Sequence, residues 1–110
     1  MKKLQGTFAV AMLLSATLQS ANATEMPQLA KKSGCTACHA IDHKIVGPAW
    51  VDVAKRYKDL EAARGVLIER VKKGTKGNWT DVTKGVPMPP YSPRVTDENI
   101  EKLVDFILSL

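Results

Sequence analysis

Both cysteines of the chain stand in one run, Cys35-Thr36-Ala37-Cys38-His39. Two thiols at this spacing reach the two vinyl groups along one edge of a porphyrin, and the residue after the second thiol then lies directly below the metal. C-x-x-C-H is the attachment pattern for a c-type haem. A neutral imidazole nitrogen suits iron well. Cys35 and Cys38 are therefore the expected thioether donors to one covalently bound haem c per chain, and His39 the expected proximal iron ligand.

Three other chemistries use these residue types. A disulfide between Cys35 and Cys38 would close a very small loop and remove little entropy from the unfolded chain. A thioredoxin-like redox pair needs a βαβ frame, which the helical periodicities of this chain do not supply. A zinc site of Cys35, Cys38, His39 and His43 would crowd its ligands into one short segment, without the distant second pair that zinc modules use. Haem attachment is the reading that lacks nothing.

An electron-carrying haem iron needs a second axial ligand from its opposite face. His43 lies too soon after His39 to be carried around the porphyrin edge, and Met26 is also close to the motif. Met88 stands far downstream in Val86-Pro87-Met88-Pro89-Pro90. Each proline fixes φ and narrows the unfolded ensemble, so this loop is stiff and suited to presenting a weak thioether ligand. The plain alternative makes Met88 a flexible filler of the core.

These residues must be positioned by helices, because apolar residues recur at helical spacing in four places and no alternating strand stands out. Pro27 is expected to open a first helix running through Leu29 and Ala30 to Ser33, with Gly34 ending it beside Cys35. Pro48 suits the first position of a second helix with Trp50, Val53, Ala54 and Tyr57 on one face. Asp59 is expected to cap a third, with Leu60, Ala63, Leu67, Ile68 and Val71 on one side, Gly65 weakening it and Gly74 stopping it. Thr96 caps the last, whose stripe is Ile100, Leu103, Val104 and Ile107. Between Gly74 and Val95 the chain reads as irregular, and a loop of that length in a compact domain is usually functional. It contains Trp79 and Met88, and is read as the distal wall of the haem pocket. Trp79 is either a packed aromatic or an indole N–H partner of a haem propionate.

The N-terminus reads as a processing signal. Lys2 and Lys3 precede an apolar Phe8 to Leu18, and Ala21-Asn22-Ala23 supplies small residues for cleavage after Ala23. The apolar run is much shorter than the roughly 20 residues that span a bilayer. Residues 1–23 are thus expected to be removed on export to the periplasm, leaving a single domain over 24–110. That domain has a marginal core for its size, which a cofactor would staple. It keeps 14 basic and 11 acidic side chains, a formal charge of +3. The basic residues are scattered, so Lys72, Lys73 and Lys76 read as a solvated face and nucleic acid is not an expected partner.

The motifs resemble the small bacterial class I cytochromes c, particularly the c-551/c-552 group. The likeness runs through Gly34 to Ile41, Val46-Gly47-Pro48-Ala49, Arg70-Val71-Lys72-Lys73-Gly74 and Pro87-Met88-Pro89-Pro90, over essentially all of residues 24–110. It implies an all-α fold of about four helices around one haem, with His39 and Met88 as axial ligands. It further implies a hydrogen bond from His39 to the Pro48 carbonyl, propionate binding by Arg70 and Trp79, and lysine-guided docking. The activity it implies is one-electron shuttling between redox proteins, by a carrier that is not an enzyme. Thioether ligation and burial favour the less charged ferrous iron, so a comparatively high potential is expected, and a monomer is the default expectation. This chain departs from the group in two places. Its Trp79 to Met88 segment is longer by about three residues, around Thr83-Lys84-Gly85, and Tyr91 stands after Pro90 where the group often has an asparagine touching the methionine sulfur.

Overall fold

The structure, a computed structural model, describes Gly6 and residues 22–110, with side chains from Glu25 onward. The leader expected over 1–23 lies almost wholly outside the described residues. Among those described there are five α-helices and no strand, only isolated bridges pairing His39 with Lys44 and Thr75 with Met88. The all-α expectation therefore holds.

Helix α1 spans Asn22–Lys32, so Pro27 lies inside it and does not open it. A proline there removes one backbone donor, and a helix survives that loss where neighbouring turns remain bonded. Its C-terminus closes as expected: Ser33 N–H donates to Leu29 O at 2.9 Å, and Gly34 takes the left-handed φ of 87°. A single 3-10 turn, Cys35–Ala37, follows at once, and the His39 N–H donates back to Cys35 O at 3.0 Å.

Helix α2, Trp50–Tyr57, begins two residues after Pro48 rather than at it. The reason is visible in the hydrogen bonds. Ala49 O accepts the first helical bonds, from Asp52 and Val53 N–H at 3.1 Å each, whereas the Pro48 carbonyl is committed to the His39 ring at 2.8 Å. Helix α3 spans Ala63–Lys73, and Asp59 is not its cap. Tight turns fill the gap instead, with Leu60 N–H bonded to Tyr57 O and Ala63 N–H to Leu60 O, both at 3.0 Å. Leu60 is consequently 56% exposed rather than part of the buried stripe.

A short helix α4, Thr80–Thr83, interrupts the stretch expected to be irregular. Its four residues are too few to produce a periodic signal. It starts on Trp79 O, which accepts from Val82 and Thr83 N–H, and ends in the left-handed Lys84 and Gly85. Lys84 and Gly85 thus end a helical turn. Helix α5, Asp97–Leu108, is capped as expected by Thr96, whose side chain accepts from Asn99 N–H at 3.2 Å.

Helix α5 is the hub, with α1, α2 and α3 all packed on it. One of its faces closes a cluster of Ala30, Cys35, Trp50, Val53 and Leu103. Ile100 and Val104, both essentially without solvent exposure, join Ile68, Tyr91 and Val95 in a second cluster. The motif turn and the Met88 loop are thereby attached to the same central helix from different sides of the chain.

Candidate functional site

Cys38, His39, Arg70, Trp79 and Met88, drawn from segments far apart in sequence, line one cavity. It encloses about 150 Å³ and is partly open to solvent. Its wall is mostly apolar, built from Val46, Val53, Leu67, Val71, Val104 and Ile107. Cys35 sits behind the wall in the buried cluster with Trp50 and Val53, which themselves face the cavity.

The His39 ring is held on three sides. Its Nδ1 donates to Pro48 O at 2.8 Å, which leaves the Nε2 lone pair free for a metal. Trp50 stacks on it with ring centroids 5.8 Å apart. Gly47 passes so close that a β-carbon there would lie 2.5 Å from His39 Cε1. Burial lowers the His39 pKa, with the Pro48 hydrogen bond acting the other way, so the ring is held in its neutral, ligating form. Burial raises the Cys35 pKa and keeps that sulfur a thiol in this environment.

Met88 is fixed through its backbone. It exchanges two hydrogen bonds with Thr75, Met88 N–H to Thr75 O at 2.8 Å and Thr75 N–H to Met88 O at 3.1 Å. These bonds tie the proline-rich loop to the end of α3. Gly74, at φ 77°, makes the approach possible, since a β-carbon there would come within 2.7 Å of Met88 O. Asn78 Nδ2 in turn donates to Thr75 Oγ1 at 2.6 Å.

Arg70 Nη1 donates to Tyr57 Oη at 3.1 Å. Burial pushes the Tyr57 pKa up, but hydrogen bonds and charge from Arg70 and Arg56 outweigh it, and the net displacement is downward. Trp79 is gripped between Tyr57, edge-on at 6.3 Å, and Arg56, whose guanidinium carbon lies 3.5 Å over the indole. Arg56 also donates to Asn78 O at 2.9 Å. Sequence reasoning missed Arg56 and Asn78, which carry no motif, and saw Tyr57 only as part of a buried helix face.

The competing chemistries find no support in this arrangement. Cys35 and Cys38 form no disulfide with one another. Among the described residues no three His, Cys, Asp or Glu side chains are grouped to hold a metal, and His43 is exposed and paired with Asp42 at 2.8 Å. An apolar cavity faced by a thiol, a neutral imidazole and a thioether instead fits a porphyrin whose iron prefers nitrogen and sulfur donors.

Comparison with known proteins agrees with this geometry. The Cytochrome c family model matches residues 23–110. Cytochrome c-552 of Nitrosomonas europaea is 41% identical over 105 residues, covering 96% of this chain and 93% of the relative. Cytochrome c-551 of Pseudomonas aeruginosa is 39% identical over 102 residues, covering 91% and 92% respectively. The crystal structure of wild-type Nitrosomonas europaea cytochrome c552 superposes with a TM-score of 0.68 at 40% identity, over 76% of this chain and 96% of that one. The chain therefore belongs to the cytochrome c family, as a small electron-transfer protein that carries one covalently attached haem c and is not an enzyme.

Proposed function

We propose that this protein is a periplasmic carrier whose haem is held by thioethers from Cys35 and Cys38, with His39 and Met88 as axial iron ligands. The observation that carries the proposal is the convergence of Cys38, His39 and Met88 on one apolar cavity, with His39 Nε2 free and Met88 held by its backbone. Bound there, the group supplies a one-electron couple between ferric and ferrous iron, and a thioether ligand in an apolar wall favours the less charged ferrous state.

The remaining work falls to the polypeptide. Pro48 orients the His39 ring and raises its basicity. Gly47 and Trp50 hold the His39 ring, and the Thr75–Met88 bridge holds the backbone that carries the thioether, which limits rearrangement on a change of charge. Arg70 and the Trp79 indole, steadied by Tyr57 and Arg56, supply donors for the propionates. The apolar wall excludes water. If His39 and Met88 both bound the iron, no position would be left for a substrate, and transfer to partners would be outer-sphere.

Export follows from the Lys2-Lys3, Phe8–Leu18 and Ala21-Asn22-Ala23 pattern, with removal of residues 1–23. No helix among the described residues is long and apolar enough to cross a membrane. The carrier acts as a monomer between larger redox donors and acceptors.

The test is the optical spectrum of the exported protein made in cells with c-type haem maturation. A low-spin ferric spectrum with a weak far-red sulfur-to-iron band, lost in Met88→Ala, is the expected result. A high-spin ferric spectrum in the unmutated protein would overturn His39/Met88 ligation.

A further inference from the structure

Tyr91 is the largest side chain facing the cavity that the proposed chemistry leaves without a task. It is only 6% exposed, an unusual burial for a residue that directly follows Pro89-Pro90 in a surface loop. Its backbone is anchored at both ends: Tyr91 N–H donates to Val71 O on α3 at 3.1 Å, and Tyr91 O accepts from Val95 N–H at 2.8 Å. Its ring spans two parts of the site. On one side it belongs to the buried cluster against which Met88 packs, with Val104 and Ile100 of α5. On the other its Cε1 lies 3.9 Å from where a β-carbon of Gly34 would stand, immediately before Cys35. The Arg94 guanidinium carbon covers it at 5.1 Å from the ring centre.

We infer that Tyr91 is a positioning residue that wedges the Met88 loop against the Gly34–Cys35 turn that follows α1, so that the thioether stays seated on iron. The inference rests on the proposed ligation by Met88. The ring acts by shape: it is rigid, it is buried in the cluster on which Met88 packs and lies beside Gly34, and a smaller side chain leaves room for the loop to move outward. A loop held less firmly yields its position on iron more readily to an added ligand, because that ligand then competes against a less populated closed state.

The experiment is an imidazole titration of the ferric holoprotein, followed optically, for the unmutated protein, Tyr91→Leu, Tyr91→Phe and Thr96→Ala. Thr96→Ala weakens the capping of α5 without touching the cavity, and so reports what general loss of stability does by itself. The expected result is about tenfold tighter imidazole binding in Tyr91→Leu, with Tyr91→Phe and Thr96→Ala close to the unmutated protein. Unchanged binding in Tyr91→Leu overturns the inference, as does an equal gain in Thr96→Ala. A Tyr91→Phe that behaves like Tyr91→Leu also overturns it, because the hydroxyl and not the ring would then be responsible. Absence of the far-red band in the unmutated protein is a separate failure, that of Met88 ligation itself, and it removes this inference too.

Discussion

At the scale of single residues the site is governed by close approach. Two glycines let the backbone pass where any side chain would collide, Gly47 against the His39 ring and Gly74 against the Met88 carbonyl. The motif Cys35-Thr36-Ala37-Cys38-His39 announced itself in the sequence, but nothing in the run says how the imidazole is oriented. Gly47 and Pro48 do that together, one by leaving space and the other by accepting the Nδ1 hydrogen bond. Gly47→Ala is expected to push the ring off its bond to Pro48 and to cost about 1–3 kcal/mol, the range for overpacking a filled interior. Chemical denaturation of the holoprotein, read in the haem absorption, measures the loss, and stability equal to that of the unmutated protein would show that the loop moves aside freely.

At the scale of elements the periodic signal was reliable where a helix is long and unreliable at helix starts. The stripe of α5 and its Thr96 cap were readable because twelve residues repeat the pattern and the cap has a side chain of the right kind. The starts of α1, α2 and α3 were misplaced because a proline or aspartate permits a helix start without compelling one. Pro48 is the instructive case, since its carbonyl serves the His39 ring and the helix must begin beyond it. Thr96→Ala should cost about 1 kcal/mol through loss of the cap. In a domain of this size that is a fall of roughly 4–8 °C in Tm, measurable by circular dichroism, and an unchanged Tm would mean that solvent replaces the cap at no cost.

At the scale of the whole molecule the charge and the cavity meet. Residues 24–110 carry a formal +3, and Lys76 stands at the cavity itself, alongside the exposed apolar Val46 and Val86. A small positive protein meets anionic oxidants by steered diffusion, and added salt screens that attraction. Oxidation of the ferrous protein by ferricyanide is expected to slow several-fold as ionic strength rises from about 0.01 M to about 0.15 M and the Debye length falls from about 30 Å to about 8 Å. Stopped-flow absorbance follows the rate, and a rate that is flat or rises with salt would contradict a positively charged approach.

The identity of the chemistry was legible in the sequence because covalent haem attachment depends on local spacing, and local spacing survives any fold that lets Cys35, Cys38 and His39 lie on consecutive turns. The candidate partner Met88 was also legible, since three prolines around one methionine narrow the backbone before any tertiary contact forms. What brings Met88 to the cavity was not. That depends on the Thr75 bridge, on the space left by Gly74, and on α5 holding both clusters in place. The same holds for Arg56 and Asn78 around Trp79, and for Tyr91 in the cluster on which Met88 packs. These are pairings between residues distant in sequence, and their geometry exists only once the helices have packed.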